Sequence, residues 1–196
     1  MKEVKIYYHG DLKEIIKAQG NLDESGNVFE GLGHIGGKAK SVCIDLYCAE
    51  DITIEAGEFA YINLGVSMKL PEGYLGKIVP RSSLFSKTGL IQTNHVGIID
   101  TNYSSKEDIW KLPVFNLLTQ QDIKDTFKHF VNKVVDSEGK IKTEDFVEQL
   151  EFRKVEIKKG TRVAQFEIVK VMEDFKFVES DLEGEVARNG FGSTGV

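Results

Sequence analysis

The stretch between Ser41 and Asn116 carries short apolar runs at close intervals, and this spacing restricts what the chain can fold into. Turn-forming residues separate the runs at Ala56-Gly57, Pro71-Glu72-Gly73 and Thr88-Gly89. Many short strands with regular turn signals predict an all-β sandwich or barrel. The runs are Val42 to Tyr47, Phe59 to Val66, Leu75 to Val79, Gly97 to Ile99 and Val114 to Leu118.

The first forty residues form an atypical N-terminal extension to this pattern. Lys2 to Tyr8 alternates polar and apolar residues and is predicted to be a strand. Asp11 to Ala18 is predicted to be a helix with Asp11 as its N-cap, because apolar residues follow at helical spacing. Gly20 to Lys40 is rich in glycine and polar residues and is predicted to be a long loop.

A helical insertion interrupts the strands over residues 119–153. Gln121 to Val135 has apolar residues at helical spacing, and a polar turn separates it from a second predicted helix at Thr143 to Leu150. Strand character resumes at Val155 to Ile157 and at Arg162 to Val171. The sequence therefore predicts one β domain with a helical insertion, which is either an interaction surface or loop decoration.

Composition limits the class of partner. With 196 residues and 41% apolar residues the chain can bury the core of one domain. The formal net charge of −6 argues against a nucleic-acid partner, since such binding normally needs a basic face. We find neither an apolar run long enough to span a bilayer nor a secretion signal, so we expect a soluble protein in the cytoplasm.

The two cysteines and four histidines suggest no metal site. Cys43 and Cys48 lie five apart on one predicted strand, so their side chains should point to opposite faces and pack without forming a bridge. The histidines show no metal-ligand spacing. They are His9, His34, His95 and His129.

The C-terminal residues 186–196 are predicted to be a flexible tail, because they are rich in glycine. Gly190 to Gly195 matches the glycine pattern of dinucleotide-binding folds. Such a site also needs a helix and an acidic residue after the glycines, and only Val196 follows them in this sequence, so we do not expect a site of this type. The exposed N–H groups of such a strip can still wrap phosphate oxygens. Phe191 could stack on a base and Arg188 could bind phosphate.

Five short motifs in order identify the family that the chain resembles. They are Cys43 to Ala49 around Asp45, Pro80 to Leu84, Gly97 to Tyr103, Gly160 to Gln165, and the tail. In this order they resemble the five motifs of the trimeric dUTPase family. The resemblance spans about Ser41 to Val196 outside the insertion.

The resemblance implies the fold, the reaction and the assembly. It implies an all-β, jelly-roll barrel of the β-clip type, and hydrolysis of dUTP to dUMP and pyrophosphate by water attack on the α-phosphorus. It also implies a homotrimer whose active sites are shared between subunits. Mg²⁺ in this family is held mainly by the substrate phosphates and water, so we expect no dedicated protein ligands for the metal.

The resemblance also assigns the sugar and base contacts. Asp100 is expected to be the general base that holds the attacking water, a role that suits an ionised carboxylate. Tyr103 is expected to pack under the deoxyribose and exclude a 2′-hydroxyl. Asn94, Gly97 and Ile99 belong to an expected hairpin whose backbone groups read the uracil edge, with Gly97 permitting the close approach.

The phosphate contacts come from three motifs. Arg81 is expected to bind phosphate, Ser82 to stabilise charge on the departing pyrophosphate, and Ser83 and Gln165 to add polar contacts. Asp45 joins the catalytic set as an organiser of the site, and Arg162 has a structural or inter-subunit role. The tail is expected to close over the substrate through Arg188, Phe191, Gly192, Ser193 and Thr194.

Two alternative functions remain at this point. A dCTP deaminase shares the Arg-Ser-Ser-Leu stretch, but its catalytic Glu would fall three residues before Asn116, where this chain has Pro113. A prolyl ring cannot transfer protons, which opposes deamination. The other alternative is a nucleotide-gated regulatory protein that binds a protein partner through residues 119–153.

Overall fold

A computed structural model describes residues 2–19, 43–134, 153–171 and 178–179 of the chain. Eleven strands and three helices lie in this part. The strands are β1 (Lys5–Tyr8), β2 (Ile44–Tyr47), β3 (Ile52–Glu55), β4 (Phe59–Asn63), β5 (Val66–Lys69), β6 (Tyr74–Pro80), β7 (Leu90–Gln92), β8 (Gly97–Ile99), β9 (Lys111–Asn116), β10 (Lys154–Ile157) and β11 (Arg162–Lys170). The helices are α1 (Leu12–Ala18), α2 (Leu84–Thr88) and α3 (Gln120–Val134).

The strands form four antiparallel sheets around one core. The largest has the order β2-β11-β6-β8 and the next has the order β4-β9-β7. Two-stranded sheets pair β1 with β5 and β10 with β3. The described residues are mostly strand with few helices, which confirms the all-β class predicted from the spacing of apolar runs and the jelly-roll-like fold that the resemblance implies.

Alternation along the strands explains the core. In β9 the even-numbered residues are buried and the odd-numbered ones face outward, so Leu112 and Val114 are fully buried. Trp110 and Phe166 pack edge to face in the interior, with ring centroids 5.2 Å apart. The packed side chains of Leu112, Val114, Trp110 and Phe166 hold the two larger sheets together.

The N-terminal elements belong to the same core. Leu12 and Ile16 of α1 are buried in it. Asp11 precedes α1 as predicted, but its carboxylate makes no cap hydrogen bond and pairs with Lys159 instead. That contact holds α1 beside the turn before β11, and Gln19 strengthens it by donating to the carbonyl of Gly160 at 3.0 Å.

Several predicted boundaries are corrected. The run from Phe59 to Val66 is two strands, because Gly65 adopts φ +63° and ends the extended chain between β4 and β5. Strands β3 and β7 and helix α2 were not predicted, since each has only three to five residues. The expected loop Gly20 to Lys40, the second helix and the tail lie outside the described residues.

Helix α3 agrees with the helix predicted at Gln121 to Val135. A reciprocal capping box begins it: the amide of Asp122 donates to Thr119 Oγ1 at 3.1 Å, and the amide of Thr119 donates to Asp122 Oδ2 at 2.8 Å. In the described residues no helix is both long and apolar enough to cross a membrane.

Candidate active site

Asp45 is the centre of a charged cluster between three strands. The register places Asp45 of β2 opposite Gln165 of β11, while Arg81 follows the last residue of β6. Asp45 Oδ2 lies 2.5 Å from Arg81 Nη1 and 3.2 Å from Arg162 Nη1. The contact to Arg81 is ionic rather than a well-directed hydrogen bond, because Nη1 is buried without a partner of suitable geometry. One carboxylate thus orients two guanidinium groups.

A cavity of about 300 Å³ opens beside this cluster. Arg81, Lys87 and Arg162 line it, and among the described residues no acidic side chain does. Ser83 is half-buried in its wall, and Ser82 is exposed just before α2. Three positive charges in one concave space suit a polyanion such as a chain of phosphates.

A guanidinium from outside the motifs fixes helix α2 and the insertion together. Arg153 donates to the carbonyl of Thr88 at 2.8 Å, to Asn116 Oδ1 at 2.9 Å and to the carbonyl of Leu117 at 3.2 Å. Its Nε pairs with Asp122 Oδ1 at 3.0 Å. We call this group the Arg153 clamp. It holds the end of the helix that begins directly after the serines of the cavity.

No local pattern signals this clamp, because its members are separated from Arg153 by 31 to 65 residues along the chain. The hydrogen bonds around Asp122 also affect the charge of its carboxyl group. Hydrogen bonds from Thr119, with a further contribution from Arg153, lower the pKa of Asp122 below its usual value. Asp122 is therefore held as a carboxylate at the start of α3.

A second group of predicted site residues lies around the turn between β7 and β8. Asn94 Oδ1 accepts a hydrogen bond of 2.7 Å from Gln92 Nε2, which also donates to the carbonyl of Ile78 at 3.2 Å. Sequence reasoning missed Gln92 as the partner of Asn94, because its burial is visible only in the structure. A Cβ at Gly97 would lie 3.3 Å from Ile78 Cβ on the paired strand β6, so any larger residue would require Ile78 to shift.

The expected hairpin at Asn94 to Ile99 is wrong in its pairing. Strand β8 pairs with β6, and β7 pairs with β9 in another sheet. Because β8 pairs with β6 in one sheet and β7 pairs with β9 in another, the turn between β7 and β8 connects two sheets. Its tight geometry is visible at His95, which adopts φ +57°.

Asp100 and Tyr103 follow β8 in one turn. The amide of Tyr103 donates to the carbonyl of Asp100 at 3.1 Å, and both side chains are exposed. The Tyr103 hydroxyl donates to the carbonyl of Ile109 at 3.2 Å. The carboxylate of Asp100 is thus accessible to a water molecule and to a ligand.

One chain does not bring the two groups together. Ile99 pairs with Gly76 near the start of β6, whereas Arg81 follows its end. The five residue steps from Gly76 to Arg81 correspond to roughly 17 Å of extended chain. Asp100 and Tyr103 therefore lie at the opposite end of β6 from Asp45, Arg81 and Gln165, and the tail residues lie outside the described part.

The described residues offer no ready-made set of protein ligands for a metal ion. In the described ranges, no group of three or more His, Cys, Asp or Glu side chains is arranged to bind one. Asp45, the carboxylate nearest the cavity, is already paired with two arginines. A divalent ion at this site would take most of its oxygen ligands from a bound polyphosphate and water.

Comparison of the sequence with known proteins shows which family this chain is similar to. The dUTPase family model matches residues 36–124. The SPbeta prophage-derived deoxyuridine 5′-triphosphate nucleotidohydrolase YosS of Bacillus subtilis is 37% identical over 153 residues, which cover 78% of this chain and 83% of that protein. The deoxyuridine 5′-triphosphate nucleotidohydrolase of Saccharomyces cerevisiae is 32% identical over 161 residues, covering 81% and 84%.

Solved structures show the same fold. A dUTPase of Staphylococcus bacteriophage 80alpha, solved with dUPNHPP, aligns over 100% of both chains with a TM-score of 0.62 and 22% identity. A dUTPase from phage phi11 of S. aureus aligns over 92% of this chain and 99% of that one, with a TM-score of 0.56 and 22% identity. The level of identity to the bacterial and yeast enzymes, over most of each chain, shows that this chain belongs to the dUTPase family.

Proposed function

We propose that this chain is a dUTP diphosphatase, which hydrolyses dUTP to dUMP and pyrophosphate. The observation that carries the proposal is the cationic cavity between Arg81, Lys87 and Arg162, oriented by Asp45, in a member of this family. Relatives across most of the chain are named for this reaction. Charge-assisted hydrogen bonds from such a cavity stabilise a triphosphate.

The phosphate chain is held from several elements. Arg81 binds phosphate oxygens, and the exposed hydroxyl of Ser82 stabilises the charge that develops on the departing pyrophosphate. Ser83 lies in the cavity wall and Gln165 lies opposite Asp45, so both are close enough to contribute polar contacts. We assign the tail residues Arg188, Phe191, Gly192, Ser193 and Thr194 to closure over the substrate, on the resemblance of their motif alone.

The base and sugar are read along β8 and in the turns on either side of it, with Gly97 opposite Ile78 and Ile99 opposite Gly76 of β6. The turn from Asn94 to Ile99 presents fixed backbone donors and acceptors to the uracil edge, and cytosine would leave one of them unpaired. Tyr103 excludes a 2′-hydroxyl by occupying its space. Asp100 accepts a proton from the attacking water, so that the water oxygen forms a bond to the α-phosphorus while the bond to the pyrophosphate oxygen breaks.

Mg²⁺ fits this arrangement as a partner of the substrate. When bound with the nucleotide it neutralises phosphate charge. Because the described residues provide no carboxylate cage, the protein's own contribution is to orient the triphosphate through Arg81 and the tail. A phage relative is described with a structural Mg(II) ion, which is a property of that protein.

We also propose a homotrimer with shared active sites. Within one chain Asp100 and Arg81 stand at opposite ends of β6, so a second copy must supply one of them to the same substrate. The outward face of the β4-β9-β7 sheet supports self-association, because Phe59, Tyr61 and Ile91 expose their side chains on it. Light scattering should give three times the mass of one chain, and a monomeric mass would contradict this.

The insertion is the candidate site for a protein partner. Ile123 and Phe127 lie one turn apart on α3 and are 50% and 64% exposed. A pull-down with and without residues 119–153 tests whether these side chains bind a protein. We also propose a cytoplasmic location, where free thiols such as that of the buried Cys48 are common.

The decisive experiment is pyrophosphate release from dUTP, dCTP, dTTP and UTP offered separately with Mg²⁺, with the products identified by chromatography. We expect release from dUTP alone. Asp100→Asn should lower turnover by at least about a hundredfold without unfolding the protein. Glu72→Gln, at an exposed carboxylate in the turn before β6, is the matched control and should retain full activity.

Failure has two distinct forms. Unchanged turnover in Asp100→Asn would remove its assignment as the base. Formation of dUTP or dUMP from dCTP would instead favour deamination, which the proline at position 113, within strand β9, opposes.

A further inference from the structure

The loop of residues 104–109 decides where the Tyr103 side chain lies. The Tyr103 hydroxyl donates to the carbonyl of Ile109, at the end of the loop. Within the loop, Ser105 and Asp108 bond to each other: the amide of Ser105 donates to Asp108 Oδ2 at 2.8 Å, and the amide of Asp108 donates to the carbonyl of Ser105 at 3.2 Å. These bonds give the loop its shape, but they do not attach it to the rest of the protein.

A buried serine attaches the middle of the loop to strand β5. Ser67 is 3% exposed, and its hydroxyl donates to the carbonyl of Lys106 at 2.9 Å. The loop exit is fixed separately, because the amide of Trp110 donates to the carbonyl of Val66 at 2.8 Å. Both anchors are on β5, so the position of the loop depends on this strand.

His9 completes the anchor from the N-terminal segment. His9 Nε2 lies 2.9 Å from Ser67 Oγ. A hydroxyl has one proton, and that of Ser67 goes to the carbonyl of Lys106, so Nε2 must donate to the oxygen. The His9 amide donates to the carbonyl of Gly65 at 2.9 Å, and the Tyr7 ring packs against the imidazole with centroids 4.9 Å apart. The imidazole is therefore held from two sides.

We propose that His9 and Ser67 are positioning residues for sugar discrimination. They hold the 104–109 loop, and the loop holds Tyr103 where a 2′-hydroxyl would collide with its ring. This inference rests on the proposed hydrolysis of dUTP and on the role given there to Tyr103. Neither His9 nor Ser67 touches the substrate in this account; each acts through the loop.

The test compares dUTP with UTP as substrates for the full-length protein. His9→Ala and Ser67→Ala should each lower the ratio of kcat/KM for dUTP to that for UTP by about fivefold, the effect of losing one hydrogen bond. The change should come mainly from faster hydrolysis of UTP. His9→Gln, which keeps an N–H donor, should restore the ratio, and the double variant should add little to Ser67→Ala because the two residues act in one chain of bonds.

Two further measurements separate positioning from general loss of stability. Val155→Ala removes buried apolar atoms from β10 and should slow both substrates equally, leaving the ratio unchanged. Amide hydrogen exchange in residues 104–109 should become faster in His9→Ala and Ser67→Ala but not in Val155→Ala. The exchange measurement needs no activity, so it tests the anchor even where the proposed reaction fails.

The outcomes are distinguishable. A wild-type protein that hydrolyses no dUTP overturns the proposed function, and unchanged exchange in the loop overturns the anchor. If the ratio of kcat/KM for dUTP to that for UTP stays within twofold of the wild-type ratio in both His9→Ala and Ser67→Ala, the positioning role is overturned. If Ser67→Ala does not fold, His9→Ala decides the question, because His9 is only half-buried.

Discussion

Truncation of Arg153 to alanine should destabilise the protein because it removes the clamp between α2, α3 and β9. The side chain donates four hydrogen bonds, and two of its acceptors belong to side chains that are nearly inaccessible to water. Asn116 is 0% exposed and the Asp122 side chain 9% exposed. In Arg153→Ala both would lose a charged partner in the interior.

The magnitude follows from these contacts. Hydrogen bonds to charged groups contribute about 1.5 to 3 kcal/mol each, and a buried acceptor without a partner costs about 1 to 3 kcal/mol. The Arg153 side chain is 36% exposed, so water can reach part of the vacated space and reduces the sum. We expect a net loss of about 3 kcal/mol, which is a large share of the roughly 5 to 15 kcal/mol by which domains are stable.

Arg153→Lys is the informative second variant. It keeps the positive charge near Asp122, but one ammonium cannot serve the acceptors that the planar guanidinium reaches. We expect it to lose about half as much free energy of unfolding as Arg153→Ala. Lys128→Ala, at an exposed cation of α3, is the matched control and should stay within about 0.5 kcal/mol of wild type.

Urea unfolding followed by tryptophan fluorescence measures these differences. The chain has one tryptophan, and Trp110 is fully buried in the core. Protein concentration must be kept equal, because association stabilises the folded state by mass action. A loss of less than about 1 kcal/mol in Arg153→Ala would refute the reasoning, as would equal stability of Arg153→Lys and wild type.

Three further predictions concern other positions. The pKa of Asp122 is lowered in the folded state, so its carboxylate stabilises the fold fully above the unfolded pKa of about 4 and progressively less as the pH falls further. Asp122→Asn should therefore be less stable than wild type in urea at neutral pH. The difference in free energy of unfolding between the two proteins should shrink towards about pH 3. Gly65→Ala should lower the free energy of unfolding by about 2 to 4 kcal/mol in thermal unfolding, because φ is +63° and a new Cβ would lie 2.7 Å from both Ala49 and Leu12. Gly57→Ala has φ +82° but open space around the new Cβ, so it should lose only about 1 kcal/mol. Asp45→Asn should lower kcat/KM for dUTP at least about tenfold, since both arginines lose their shared carboxylate; activity equal to wild type would contradict its role as organiser.

Local patterns in the sequence predicted the elements and the family. Alternation of polar and apolar residues predicted the strand that the structure shows as β1, and short apolar runs predicted others such as β6. The start of α3 is readable as Thr119 followed three residues later by Asp122, a capping box that needs only neighbouring residues. The ordered motifs predicted membership of the dUTPase family, which the relatives confirm. The roles of individual site residues stay predictions.

Strand or helix character, the turn glycines and the short motifs depend on neighbouring residues, so they can be predicted without the structure. Which of the motifs meet depends on the folded chain. Asp45 reaches Arg81 and Arg162 because β2, β11 and β6 pair side by side, whereas Asp100 is carried to the other end of β6 by the register of β8. The Arg153 clamp and the anchor from His9 through Ser67 to the 104–109 loop likewise join distant residues. Such contacts depend on sheet order and register, which are fixed by packing of the whole core rather than by any local pattern.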